Sequence, residues 1–289
     1  MTFDPWLYVA LAAGFVVGQV VPVRSPWVGR ATLGTVAVLV GLLGASLDSV
    51  AWTSLVTTVP LAVAFALVIL GLTAAFYLGL ARLRPAPTRP PSGPPPAERA
   101  PITLALLAAL LAGFTLGRVV AVPYGPAIPW VLYVLLALVG FGLHLELAGL
   151  REVWRPLSAA VGAALIAALL FAAVDRLALG ASLATTLGFG FYSFAGPLVA
   201  ARLGAVLGLL AFLTNFLRED LTMLLAPYLG PRLGGGGLAA LGGATSMDTT
   251  LYFVTRYGDR DAGSLALANG LVLTVVATLV LPAILAVPL

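Results

Sequence analysis

Uncharged stretches of 17 to 33 residues recur from one end of the chain to the other, at 31–47, 49–81, 100–117, 119–143, 157–174, 177–201 and 262–289. A helix needs about 20 apolar residues to cross the roughly 30 Å hydrocarbon core of a bilayer. Stretches of this length in series predict an all-α polytopic membrane protein. Composition agrees, because 61% of the 289 residues are hydrophobic and only 9% are charged, against roughly 25% in an ordinary soluble domain.

Several chemistries are excluded at once. With no cysteine there is no disulfide, thiolate metal site or cysteine nucleophile, and His144 is the one histidine, so no histidine cluster can form. All 15 basic residues are arginine, and the formal net charge of +4 reflects arginines in short loops, not a nucleic-acid face. The chain starts Met1, Thr2, Phe3, Asp4 without a basic n-region, so residues 7–23 read as a first membrane helix and not as a cleaved signal.

Comparing the sequence with itself organises the rest. AGFVVGQVV at 13–21 recurs as AGFTLGRVV at 112–120, and at the same offset of 99 residues Gly41 matches Gly140; one residue out of step, Asp48 matches Glu146. Each copy contains three predicted helices, about 7–23, 31–50 and 55–81, then 102–122, 128–146 and 157–174. Three crossings per copy force the second copy to enter from the opposite side, which is the inverted repeat of many secondary transporters. Between the copies the linker 82–101 is proline-rich, with Arg82, Arg84, Arg89 and Arg99. These arginines, with those at 24, 30, 151, 155 and 232, place the cytoplasmic side and both termini outside.

A second self-match has an offset of 54. Arg202 falls on Arg256, Gly204 on Gly258 and Asn215 on Asn269, relating 188–227 to 242–282. Each part has a glycine-broken stretch followed by a helix. Two half-helices within 183–202 would each reach about 15 Å, half a bilayer, so the broken stretches read as re-entrant hairpins. The expected architecture is about eight spans plus two hairpins: a scaffold unit, 1–181, and a transport unit, 182–289. Irregular backbone at that depth survives only against protein or a watery cavity, so the tips should line a site.

Acids in mid-span are the sharpest functional signal, since each costs roughly 2.5 to 3.5 kcal/mol at a helix centre on insertion scales. Arg218, Glu219 and Asp220 sit in the middle of the apolar segment 205–229. At 100° per residue Glu219 shares a face with Asn215 and Thr222, which makes it the site carboxylate facing the tips, with Arg218 and Asp220 left to pair elsewhere. Asp48, after LGASL, is a second candidate acid, and Glu146 beside His144 reads as an interfacial cap. At the tips, GFGFYSFAGP (188–197) offers Tyr192 and Ser193, and GGATSMDTT (242–250) offers Thr245, Ser246 and Asp248. Half-helix N-termini suit a substrate carboxylate, while hydroxyls and Asp248 suit an ammonium or a coupling cation, including sodium. Asn215 and Asn269 are expected near the axis relating the two parts.

GFGFYSFAG (188–196), NFLRED (215–220) and GGATSMD (242–248), in this order, resemble the lysine exporter LysO family of bacterial inner-membrane proteins; Gly41 to Asp48 resembles it more loosely. The resemblance implies export of L-lysine and its analogues driven by an ion gradient, with Asp48 and Glu219 as the intramembrane carboxylates. Family members often carry Asp at the place of Asn215 and His at that of Asn269, so this chain departs from them in site charge.

The expectation is a multi-pass cytoplasmic-membrane antiporter that exports lysine against protons or sodium, without a cofactor. Tyr192, Ser193, Asn215, Glu219, Thr245, Ser246, Asp248 and Asn269 would bind substrate, and Asp48, Glu219 and Asp220 would couple the ion. A large apolar scaffold face would fit a homodimer. The rival readings are an exchanger for another amino acid or small ion and, more remotely, an intramembrane enzyme; no H-E-x-x-H or GxSxG motif supports the latter.

Overall fold

Glycine spacing explains how the first half packs. The structure is a computed structural model that describes residues 5–20, 26–47, 50, 52–83, 100–120, 124–142, 152–174, 177–259 and 262–287. Asp48, His144, Glu146 and most of the linker lie outside the described residues. Six helices come first: α1 (Pro5–Val20), α2 (Pro26–Ala45), α3 (Trp52–Leu83), α4 (Ala100–Val119), α5 (Tyr124–Gly142) and α6 (Trp154–Val174). A Cβ added at Gly14 or Gly18 of α1 would run into the backbone of Ala137 or Phe141 of α5, and one at Gly113 or Gly117 of α4 into Gly41 or Ala45 of α2. Small residues four apart let helix backbones touch, and close packing is the main force between helices in lipid.

The pairing is reciprocal. The first helix of each three-helix copy packs on the second helix of the other, α1 on α5 and α4 on α2. In addition α2 packs on α5 and α3 on α6, where Phe65 and Phe171 stack with centroids 3.5 Å apart.

The second half holds α7 (Leu179–Thr186), α8 (Tyr192–Leu203), α9 (Ala205–Gly242), α10 (Leu251–Tyr257) and α11 (Ala262–Ala286), with one 3-10 turn at Gly243–Met247. With 8 and 12 residues, α7 and α8 reach about 12 and 18 Å at 1.5 Å per residue. Neither crosses a bilayer alone, and the two pack against each other. The sequence expectation ends the first long helix near 229, yet α9 continues through Pro227 and Pro231 to Gly242 and changes direction at Gly234, whose φ of 64° is left-handed. Residues 235–242 thereby form the first arm of the second hairpin. Its glycines hid it, because Gly234 to Gly237 lower helix propensity by about 1 kcal/mol each. This arm supports tight packing: a Cβ at Gly235 would strike Ala262 and one at Gly236 the Tyr77 hydroxyl of α3.

All regular structure among the described residues is helical, and the chain is a helical membrane protein. The helices at Trp52–Leu80, Trp154–Val174 and Ala262–Ala286 are long and apolar enough to cross, and shorter apolar helices lie at Pro5–Val20, Arg30–Ala45, Leu104–Val119 and Pro126–Phe141. Outward apolar side chains such as Val20, Trp52, Leu111 and Trp130 suit lipid. The two halves meet chiefly where α3 and α6 pack on α9 and α6 on α7, and also where α8 packs on α2 and α5 and the Tyr8 hydroxyl donates to the Leu279 carbonyl at 3.0 Å.

Candidate functional site

Both hairpins turn inside protein, and the turns follow from local chemistry. In the first, α7 ends at Thr186, Phe189 and Gly190 take positive φ (50° and 92°), and α8 starts at Tyr192. A Cβ at Gly188 would lie within 2.8 Å of the Asn215 amide group, so only glycine fits. In the second, Gly243 has φ 65° and the chain continues through the 3-10 turn to α10. Phe189 and Gly243 are 54 residues apart, so the left-handed residue occupies the same place in both hairpins. The tips touch: the Ala244 amide donates to the Phe189 carbonyl at 2.8 Å.

Asn215 and Asn269 hold one tip each. Asn215, 1% exposed, accepts from the Gly190 amide at 2.8 Å and donates to the carbonyls of Thr185 and Ala211 at 2.9 Å. Asn269, fully buried, donates to the carbonyls of Ala239 (2.9 Å) and Gly243 (3.2 Å) and to the Ser246 hydroxyl (3.2 Å). Ser246 is also fully buried, with the carbonyls of Gly243 and Ala266 each 2.8 Å from its hydroxyl. These three side chains, expected to bind substrate, are thus engaged in shaping the tips, and none of them lines the cavity described next.

That cavity, of about 660 Å³, lies between the tips and the first half. Tyr192, Ser193, Glu219, Thr245 and Asp248 line it from the second half. Asp220 is not part of the lining. Tyr192 is fixed edge-on against the stacked rings of Phe212 and Phe216. Asp248 accepts from both the amide and the hydroxyl of Thr249. The amides of Tyr192, Phe194 and Ala195 bond to carbonyls within the tip itself, so the start of α8 has fewer amides to offer a ligand than the half-helix argument suggests.

The opposite wall was missed by sequence reasoning. Val28, Thr32, Leu33 and Val36 of α2 with Leu135 and Leu138 of α5 face the acids. All but Thr32 are apolar, and an apolar residue in a membrane helix looks the same whether it meets lipid or a cavity. The cavity is therefore amphipathic: branched aliphatic side chains form the first-half wall, while the two carboxylates and several hydroxyls sit on the other side among Phe191, Met247, Leu267 and Leu271.

Arg218 takes no part in the lining. It is fully buried, and its Nε and Nη2 donate to the carbonyls of Leu241 and Ala240, both at 3.0 Å. The guanidinium thus closes the carbonyl end of the half-helix 235–242, where a cation is favoured by the exposed acceptors and the dipole.

A family model described as Lysine exporter LysO matches residues 107–285, more than half of the chain, including both hairpins and their tips and Glu219, Asp220 and Asp248. The chain belongs to the lysine exporter LysO family. It is also 37% identical over 114 residues to a curated relative, Lysine exporter LysO of Escherichia coli (strain K12), a match covering 39% of this chain and 38% of the relative. The match thus spans well under two thirds of that relative's length. No solved structure matches this LysO-family chain.

Proposed function

We propose that this LysO-family chain is a secondary active transporter that exports L-lysine from the cytoplasm by antiport with protons or sodium. The observation that carries the reading is the amphipathic cavity, with Glu219 and Asp248 facing an aliphatic wall. A lysine side chain has the same two characters, an ammonium at the end of an apolar stem. The ammonium sits between Glu219 and Asp248, the stem lies on Val36 and Leu135, and the α-carboxylate lies on Ser193 and Thr245 of the tips. Glu219 then couples the fluxes: a carboxylate cannot hold a proton or sodium ion and the substrate ammonium at full strength together, so binding of one favours release of the other. Asp48 assists, on the strength of the family resemblance.

The reciprocal packing of α1 on α5 and α4 on α2 supports an inverted repeat, because a two-fold axis relating the copies demands those exchanged partners. We extend this to eight spans, both termini outside, in a bacterial cytoplasmic membrane, with 1–181 as scaffold and 182–289 as the moving unit. The test is counterflow: proteoliposomes preloaded with unlabelled lysine, uptake of labelled lysine, arginine and glutamate as competitors, and two internal pH values. Saturable counterflow that lysine competes away and a pH step alters is the expected result. Counterflow that glutamate abolishes, or none from folded protein, overturns the lysine assignment.

A further inference from the structure

The two hairpins share part of a hydrogen-bond scheme around their asparagines and differ in the rest, Asn215 donating also to the Ala211 carbonyl and Asn269 also to the Gly243 carbonyl and the Ser246 hydroxyl. Asn215 and Asn269 are 54 residues apart, and each donates at 2.9 Å to the carbonyl 30 residues before it, Thr185 and Ala239. In the first unit the Asn215 Oδ1 accepts the Gly190 amide at 2.8 Å. The residue equivalent to Gly190 is Ala244, so the same scheme would send the Ala244 amide to the Asn269 Oδ1. It goes instead to the Phe189 carbonyl of the other tip. The Asn269 Oδ1 is left buried with no hydrogen-bond partner among the described residues.

The orientation of the Asn269 amide is not in question. Its nitrogen lies against two carbonyls and a hydroxyl, and turning it over would set oxygen against oxygen. A buried acceptor left unmade costs free energy comparable to a lost hydrogen bond, and a group kept in that condition needs a reason. The reason lies in the pairing of the tips. Phe189 and Gly243 are the equivalent left-handed residues, so the contact now made by Ala244 on the Phe189 carbonyl has a mirror counterpart, Gly190 on the Gly243 carbonyl. The tips lie against each other here: a Cβ on Gly190 would be 3.2 Å from the carbonyl of Gly242, the residue before the proposed acceptor.

We propose that Asn215 and Asn269 are paired positioning residues of a two-state switch, in which the Ala244 amide moves from Phe189 to the Asn269 Oδ1 while the Gly190 amide moves from the Asn215 Oδ1 to the Gly243 carbonyl. This rests on the transport reading above: the two units exchange conformations, and the cavity changes the side from which it is reached. Each state contains one tip held by its own asparagine and one tip held by the other tip. Each state has one amide bond between the tips and one amide bond to an asparagine Oδ1, as two states of similar free energy require; on the Gly243 carbonyl, which also accepts from Ser246 at 2.8 Å, the Gly190 amide replaces the 3.2 Å contact of Asn269 Nδ2, whose two hydrogens keep the Ala239 carbonyl and the Ser246 hydroxyl. Tightening either asparagine's hold biases the exchange in one direction only.

The test uses the asymmetry of the present state. Apart from the Asn269 contact on Gly243, the donor contacts of each asparagine are common to both states, whereas the Oδ1 contact is made at 215 in this state and at 269 in the other. Asn215→Leu should therefore move the population away from the described state, and Asn269→Leu should move it towards that state. The chain has no cysteine of its own, so Thr32→Cys in the cavity wall supplies a single thiol. Its labelling by an impermeant maleimide is compared in right-side-out and inverted membrane vesicles.

The expected result is that the ratio of labelling from the two sides changes by about fivefold, in opposite directions for the two variants, as one ordinary hydrogen bond would give. The double variant should return towards the parent ratio. Shifts in the same direction, no shift, or a double variant further from the parent than either single one would overturn the switch. If a leucine variant does not fold, Asn→Ser at both positions gives the same comparison. Lysine counterflow by the parent tests the transport reading separately: its absence overturns that reading, whatever the labelling shows.

Discussion

The guanidinium of Arg218 reaches across 23 residues of chain to the carbonyl of Leu241, with Nε 3.0 Å from the oxygen. A long helix and the hairpin arm that grows out of its own far end are thereby tied side to side. Replacing Arg218 with Met leaves two buried carbonyls without a donor, each costing about 1 to 3 kcal/mol, partly offset by removal of the buried charge. Arg218→Met should lower stability by about 2 to 4 kcal/mol, and Arg218→Lys by less, because one donor is restored. Thermal unfolding in detergent measures both, and equal losses would show that the paired guanidinium donors, and not the charge or a single restored donor, make the tie.

Glu219→Gln keeps the shape of the cavity and removes its charge. Gradient-driven lysine efflux should fall to background, while the melting temperature stays within a few degrees of the parent. Retained gradient-driven flux in vesicles would remove Glu219 from the coupling role.

The aliphatic wall predicts selectivity by shape. Leu138→Trp fills part of the cavity from the α5 side without touching an acid. The KM for lysine should rise about tenfold, on the scale of 1 to 3 kcal/mol for a misfit in an apolar pocket, with little change in maximal rate for any substrate with a shorter stem. An unchanged KM would move the stem elsewhere.

Two glycines of similar appearance should behave oppositely. At Gly113 a Cβ would be 1.9 Å from the Gly41 carbonyl, whereas at Gly71 nothing lies within 4 Å. Gly113→Ala should cost about 1 to 3 kcal/mol by forcing α4 from α2. Gly71→Ala should be neutral or stabilise by up to about 1 kcal/mol, since alanine is the better helix former. Unfolding midpoints in urea or by heat read the contrast directly.

How much of this was legible beforehand depended on whether the chemistry left a mark in residue type. The hairpin tips were legible because glycine, proline and hydroxyl residues interrupt apolar runs at 188–197 and 242–250. Glu219 was legible because a carboxylate is rare at that depth, and the structure places it in the cavity with Tyr192, Ser193, Thr245 and Asp248. Asn215, Asn269 and Ser246 were picked out for the same polarity, yet their hydrogen bonds show that they hold the tips. A polar residue in a membrane helix can bind a ligand or support the groups that do, and spacing does not separate the two. Leu135 and Val36 left no mark at all, and the arm at 235–242 was hidden by glycines that read as a break. Asp48 lies outside the described residues, and its part rests on the family resemblance.

The exchange of partners between α1 and α5, and between α4 and α2, also bears on how the chain is made. Ribosomes deliver α1 and α2 to the membrane long before α4 and α5 exist. Until then the glycine stripe at Gly14 and Gly18 has no mate, and lipid must fill the groove it leaves. Closing such distant contacts is slow, so the nascent first half waits as an open set of helices exposed to proteolysis and to mispairing with other membrane chains. A chain released at the proline-rich connection between the copies would contain three complete helices and no partner for the stripe, and it would be handled by the cell as an orphan, not as half of a membrane protein.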